Sequence, residues 1–512
     1  MKKFFPGKAF VFKALFLLLA GVAVFAAAQT VSVGAVYGAE KEIKEILGNV
    51  SGGNILVYDP GEDDPRSKIC IVMMYGSTRA TDTLPNAGMK RYAELGYRAA
   101  NCAPQTLTFI DQVKTLDLSI KWIKANVLGV EKVVLWGNSR GCNLTSAFQR
   151  IAERPDSFVP NVSGNSKAID IPASYKTESG RFTPADGIIM CDANHGFMFN
   201  VLSSLATDLA DDGTGSGPGS VMSRPKTDLN PINQANGYNP DDGSATYTPE
   251  FRKKIWKAQA ERYNGLLAKA KGRWDAIQQG NGAFSDDEPF TVVMGFGNVS
   301  TYQLYTHDIS NLYSQTARPQ KLLHNDGKIT KEVVYSLRGP EKAQSTANME
   351  MMDKCYNIKV SEFMYLAMDV DPETFGYDES EMYGVKGDDF SSAHLNVKYI
   401  SVPTLASGRT AGTEFHIAEK VYENSIAATK DCIFIEGMTH GGGILGNDPK
   451  YSNVVANELN YIDDWLVEVF EINSSEQSSK GGGSGGCSAA GAGIVGLLCA
   501  GGLFLVKKKK GE

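Results

Sequence analysis

Short unbroken apolar runs rich in β-branched residues recur along the chain at positions 54–58, 69–74, 132–136, 187–191, 403–406 and 431–436, each bounded by turn residues. Hydrophobicity without alternation predicts strands buried on both faces, as in a parallel sheet. Between several of them the period changes to that of a helix, at 116–125 and 145–154. Strand and helix in alternation predict an α/β fold. The alternation breaks between about 197 and 396. That stretch opens on a Gly- and Asp-rich loop at 211–219 and continues into a long amphipathic helical pattern at 249–279. A second helical stretch at about 341–368 carries Met349, Met351, Met352, Met364 and Met368. Methionines so placed are read as core filling. The pattern predicts a mostly parallel central sheet with a mainly helical cap inserted before the last two core strands. The core spans 40–198 and 399–472, and the cap 199–398.

The two ends follow other rules. Residues 1–13 are basic and free of acids, an apolar run covers 14–28, and Ala26, Ala27 and Ala28 are the small residues that a signal peptidase reads. Residues 1–28 are therefore expected to be an export signal, the run being short for a membrane span. At the other end a Gly/Ser-rich linker at 473–486 precedes 487–512, which holds Cys487, an apolar run at 489–506 and four lysines at 507–510. Those lysines would stay on the cytoplasmic side and hold the body outside. With Gly485, Gly486 and Cys487 in front, the tail resembles the tripartite surface-sorting signals of the Synerg-CTERM kind. That resemblance implies envelope sorting machinery as a partner and a cell-surface or envelope-anchored protein.

Charge and composition narrow the classes further. A formal charge of −7 over 512 residues argues against a nucleic-acid surface. Of eight cysteines, six lie in the body (Cys70, Cys102, Cys142, Cys191, Cys355 and Cys432), with no CxxC pair, so no zinc site is indicated. Neither a calcium loop nor an HExxH motif is found, and no metal or cofactor is expected.

Chemistry concentrates at Gly137-Asn-Ser139-Arg-Gly141, which directly follows the apolar run at 132–136 and precedes a helical pattern. A strand turning sharply into a helix holds its central residue in a strained conformation, and side chains two positions to either side would collide. Glycines there leave room, and the serine hydroxyl stands at the carboxyl edge of the sheet. From 54 to 470, the cap apart, the chain resembles the α/β-hydrolase superfamily. The resemblance makes Ser139 the nucleophile and places one oxyanion-hole amide on Arg140. The second amide comes from the loop after 69–74, where Tyr75 stands in place of the usual histidine and Ser77 would donate.

A serine nucleophile needs an imidazole to take its proton. Of the six histidines, His440 follows the last core strand among glycines and fits the expected order of serine, acid, histidine. For the acid, the family's usual turn after 403–406 has Gly412 where an aspartate is common, with Glu414 the nearest carboxylate. Asp192, after the preceding core strand, is the competing candidate, and His195 would lie at the pocket rim. These residues imply an exported serine hydrolase of small-molecule ester or peptide substrates. The leading expectation is a carboxylesterase. A serine peptidase of the same fold and a catalytically degenerate binding protein are the alternatives.

Overall fold

The computed structural model describes residues 42–74, 86–105, 108–158, 180–208, 227–284, 287–293, 302–308, 314–340 and 355–472, with backbone alone at 293 and 355–357. Residues 1–28 and 473–512, the 211–219 loop, Tyr75, Gly76, Ser77, Met349, Met351 and Met352 lie outside the described residues. Ile43 opens the compact unit that holds every element below.

Ten strands form one sheet: β1 (Lys44–Val50), β2 (Gly53–Asp59), β3 (Ile69–Met74), β4 (Arg98–Pro104), β5 (Lys132–Ser139), β6 (Gly187–Ala193), β7 (Gln320–Leu323), β8 (Ile329–Glu332), β9 (Thr404–Ala411) and β10 (Lys430–Thr439). Their order is β1-β2-β4-β3-β5-β6-β9-β10-β7-β8. From β4 through β3, β5, β6, β9 and β10 to β7 all neighbours are parallel. β1 and β2 close one edge antiparallel, and β8 closes the other. This is the mostly parallel central sheet that the pattern predicts, in the strand order of the α/β-hydrolase fold that the resemblance implies.

The unbroken apolar runs are explained by two covered faces. In β3, Cys70, Val72 and Met74 join one core, while Ile69, Ile71 and Met73 join the other. Helices α2 (Phe109–Asn126), α3 (Arg140–Glu153) and α7 (His416–Asn424) cover the first face, whereas α1 (Ala87–Leu95) and α8 (Val454–Val469) cover the second. Each fully buried aliphatic side chain contributes about 1.5–3 kcal/mol relative to exposure. Strand β4 is absent from the predicted set because Arg-Ala-Ala-Asn-Cys-Ala-Pro lacks a β-branched run. Burial on both faces and an Arg98–Asp59 ion pair at 3.0 Å make it a strand nonetheless.

The inserted stretch holds α4 (Phe197–Ser204) and α5 (Pro249–Gln278). Thr248 caps α5 by accepting the Phe251 amide at 3.1 Å, and Pro249 opens its first turn. Ile255, Gln259, Tyr263, Leu267, Ala270 and Trp274 form the buried stripe of α5 at helical spacing. Two corrections apply here. Among the described residues of the second helical stretch, only α6 (Val360–Leu366) is a helix, because 355–359 is a strand paired antiparallel with 289–293. Nor is 199–398 wholly a cap, since β7 and β8 return to extend the central sheet beyond β10. Their runs of four residues are too short and too polar to register as core strands. Met364 and Met368 are buried in the larger core, as core filling requires.

Candidate active site

At the carboxyl end of β5, Ser139 has φ 55° and ψ −131°, a backbone conformation that L-residues rarely adopt. The flanking glycine is required sterically: a Cβ on Gly137 would lie 2.5 Å from the Cys142 amide nitrogen. Helix α3 starts at Arg140, immediately after the serine, so its N-terminal end faces the same edge. The strand, elbow and helix fall where the motif predicts them.

On the next strand the register slips. Asn138 of β5 pairs with Cys191 of β6, but Ser139 pairs with Ala193, leaving Asp192 bulged out with φ 45°. The bulge aims the Asp192 carboxylate, which is wholly buried, at His440 in the loop after β10. Asp192 Oδ2 lies 2.6 Å from His440 Nδ1. A second shift, between Arg409 and Ala411, relaxes the pairing of β9 with β10. The turn after β9 carries Glu414, whose Oε2 stands 2.9 Å from the same Nδ1. The two competing carboxylates thus converge on one imidazole. Asp192 has the hydrogen-bond geometry, and Glu414 adds a second negative charge. Glu414 is itself held by Thr413 Oγ1 and by Asn194 Nδ2, each donating to it at 2.9 Å.

Gly412 leaves room for a carboxylate from β6. A Cβ at this position would sit 2.2 Å from Asp192 Oδ2, so the usual aspartate position is kept empty for the Asp192 carboxylate. Asp192, Glu414 and His440 are also a donor set that could hold a cation. Their spacing argues otherwise: ligands at ~2.0–2.2 Å around a tetrahedral ion lie about 3.3 Å apart. The observed 2.6 and 2.9 Å are direct hydrogen-bond and ion-pair distances.

The electrostatics follow from this crowding. Burial disfavours the imidazolium, but the Glu414 charge and the Asp192 hydrogen bond outweigh it and hold His440 well above the ordinary histidine value. Burial likewise raises Glu414, and the adjacent imidazole more than reverses it, leaving that carboxyl below the usual range.

Beneath His440 lies a layer that sequence reasoning missed. The Arg409 guanidinium pairs with Glu458 of α8 at 3.0 Å and donates from Nη1 to the His440 carbonyl at 2.8 Å and to Asn138 Oδ1. Its backbone amide donates to Asp192 Oδ1 at 3.2 Å. Arg409 thus ties together the residue before Ser139, the His440 loop and Asp192. An arginine inside the buried strand β9, and a glutamate on the covered face of α8, were the available signals. His195 is a correction. It is 1% exposed, with Nε2 2.5 Å from the Glu379 carbonyl and its ring stacked on Phe199, so it belongs to the core beneath the cap rather than to a rim.

Ser139 opens into a cavity of about 810 Å³. Met89 and Tyr92 of α1, Trp136, Met438, and Val455 and Leu459 of α8 give it an apolar side, while Arg140, Asn143, Asn200, Glu362 and Ser391 line it with polar groups. Arg140, placed for the oxyanion hole, lines the cavity, whereas Ser77 lies outside the described residues.

No family model matches the sequence, and no curated protein does. Among solved structures the chain is similar to carboxyl esterase 2 from the mycorrhizal fungus Tuber melanosporum, at 8% identity and TM-score 0.36 over 87% of this chain and 96% of that one. It is similar to brefeldin A esterase, a bacterial homologue of human hormone-sensitive lipase, at 9% identity and TM-score 0.36 over 92% and 87%. Esterase Est22 gives 11% identity and TM-score 0.36 over 89% and 88%. At such values these likenesses carry no argument about activity, and the fold rests on the strand order and directions above.

Proposed function

We propose that the chain is a serine hydrolase that cleaves carboxylic esters through an acyl-Ser139 intermediate. The observation that carries this reading is the strained Ser139 elbow at the carboxyl edge of the sheet, whose neighbour Asn138 donates to the His440 carbonyl at 3.4 Å, together with the hold of Asp192 on His440 Nδ1 at 2.6 Å. With its Nδ1–H given to the carboxylate, His440 has Nε2 as the free base. His440 takes the Ser139 proton as the oxygen attacks the acyl carbon, and the Arg140 and Ser77 amides receive the developing oxyanion. The C–O bond to the alcohol then breaks, and the alcohol leaves with the proton from His440. A water, deprotonated by His440, attacks the acyl-enzyme and releases the acid and free Ser139. Two aligned oxyanion donors contribute several kcal/mol to lowering the barrier.

The basic and apolar first 28 residues and the Gly-Gly-Cys tail support a location outside the cytoplasm, at the cell surface or envelope. Among the described residues no helix is long and apolar enough to cross a membrane.

The test is labelling of the purified protein by a fluorophosphonate probe, with the adduct located by mass spectrometry. Ser139 should carry it, and Ser139→Ala and His440→Ala should each abolish it. p-Nitrophenyl esters should be cleaved well ahead of peptide amides. Folded protein that never labels would mark the chain as a binding scaffold instead.

A further inference from the structure

Two side chains on the polar side of the cavity each have an acceptor oxygen without a partner among the described residues. Glu362, on α6, lines it beside Arg140 and Asn143. Its Oε1 accepts the Phe109 amide at 2.7 Å, while Oε2 has no hydrogen-bond partner among the described residues although the residue is only 7% exposed. Asn143, one turn into α3 after Ser139, is 1% exposed; its Nδ2 donates to Asn194 Oδ1 at 3.4 Å, and its Oδ1 is likewise unpartnered. A buried acceptor without a hydrogen bond costs folding stability. Here two come from different elements, and both belong to side chains lining the cavity that Ser139 opens into. Arg140 and Asn143 of α3 and Glu362 of α6 line the same cavity, and the Arg140 charge acts to lower the Glu362 carboxyl. Burial pushes the Glu362 carboxyl up to about 7, as befits an acid with one oxygen unanswered.

We propose that this wall is a subsite for a hydrogen-bond-donating group on the substrate, a hydroxyl or an ammonium, with Glu362 and Asn143 as its acceptors. The inference rests on the ester-hydrolase reading and narrows it. The substrate is an ester with an apolar portion against Met89, Tyr92, Trp136 and Leu459 and a donor-bearing portion against α3 and α6. The terminal torsion of a glutamate is soft, so the carboxyl turns its free oxygen to an arriving donor at little cost.

Matched esters test it with the full chain. On the acyl side these are p-nitrophenyl butyrate, 3-hydroxybutyrate and 4-aminobutyrate; on the alcohol side, ethyl, 2-hydroxyethyl and 2-aminoethyl butyrate. In one of the two series the donor should raise kcat/KM by roughly 5- to 100-fold over the plain ester. The larger gain, hydroxyl or amine, identifies the source of the donor. Glu362→Gln, which keeps an acceptor for the Phe109 amide, should collapse that ratio, and Asn143→Ala should reduce it. Ratios near one in both series for the wild type overturn the inference, and so do ratios unchanged in both folded variants. Ester turnover and Ser139 labelling without a donor preference sink the subsite alone. Absence of both labelling and turnover sinks the hydrolase reading and the subsite with it.

Discussion

On the sheet side of the cavity the charged groups answer one another. Arg409 meets Glu458, His440 meets Asp192 and Glu414, and the Arg409 side chain secures the His440 carbonyl. On the cap side, Glu362 of the cap and Asn143 of the facing helix α3 each keep an acceptor oxygen without a partner among the described residues. The first wall is over-determined, which suits groups that must hold a reactive geometry before substrate arrives. The second is under-satisfied, which suits groups whose partner is the substrate. Substitutions on the sheet side should therefore damage chemistry or folding, and those on the cap side should change choice of substrate.

The largest expected effect is on rate. Asp192→Asn should lower kcat about 10³–10⁴-fold by favouring the wrong tautomer of His440. Glu414→Gln should cost far less, because the shorter contact is left intact. Equal losses would show that the two carboxylates share the orienting role. Next is stability. Arg409→Met leaves Glu458 buried and unpaired, and urea unfolding should register a loss of about 3–5 kcal/mol. A loss under 1 kcal/mol would mean that the pair is solvated in solution.

A smaller effect concerns pH. As the proposed base, His440 would work only when neutral, and its value is raised, so the rising limb of kcat/KM should lie above the ordinary histidine pKa of ~6.5. The imidazolium's stabilisation of the fold is correspondingly full below ~6.5 and lost as pH climbs through the raised value. Removing the Glu414 charge should move the limb down by about one unit or more, and an unmoved limb would leave Glu414 with no electrostatic part. The smallest effect is expected across the cavity. Glu362→Gln should change the unfolding free energy by less than about 1 kcal/mol. A loss as large as that of Arg409→Met would make Glu362 a structural group and erase the contrast between the walls.

Much of this protein was legible residue by residue. The run before Gly137, the glycines around Ser139 and the helical pattern after it encode the elbow through steric demands between near neighbours in the chain. The two-faced burial of β3 and β5 is likewise written as unbroken hydrophobicity. His440 was marked by its place after the final apolar run. Four things depended on the folded chain. Asp192 and Glu414 compete in the sequence but meet on one nitrogen, because two register shifts at the carboxyl edge of the sheet turn both inward. Gly412, where an aspartate was expected, becomes intelligible only when the Asp192 carboxylate is found in the space it vacates. The Arg409–Glu458 pair joins residues 49 positions apart, and the Phe109–Glu362 contact joins residues 253 apart. Local sterics and periodicity act between neighbours and can be read from order alone. Which charge meets which is decided by strand register and helix docking, which no short stretch of sequence contains.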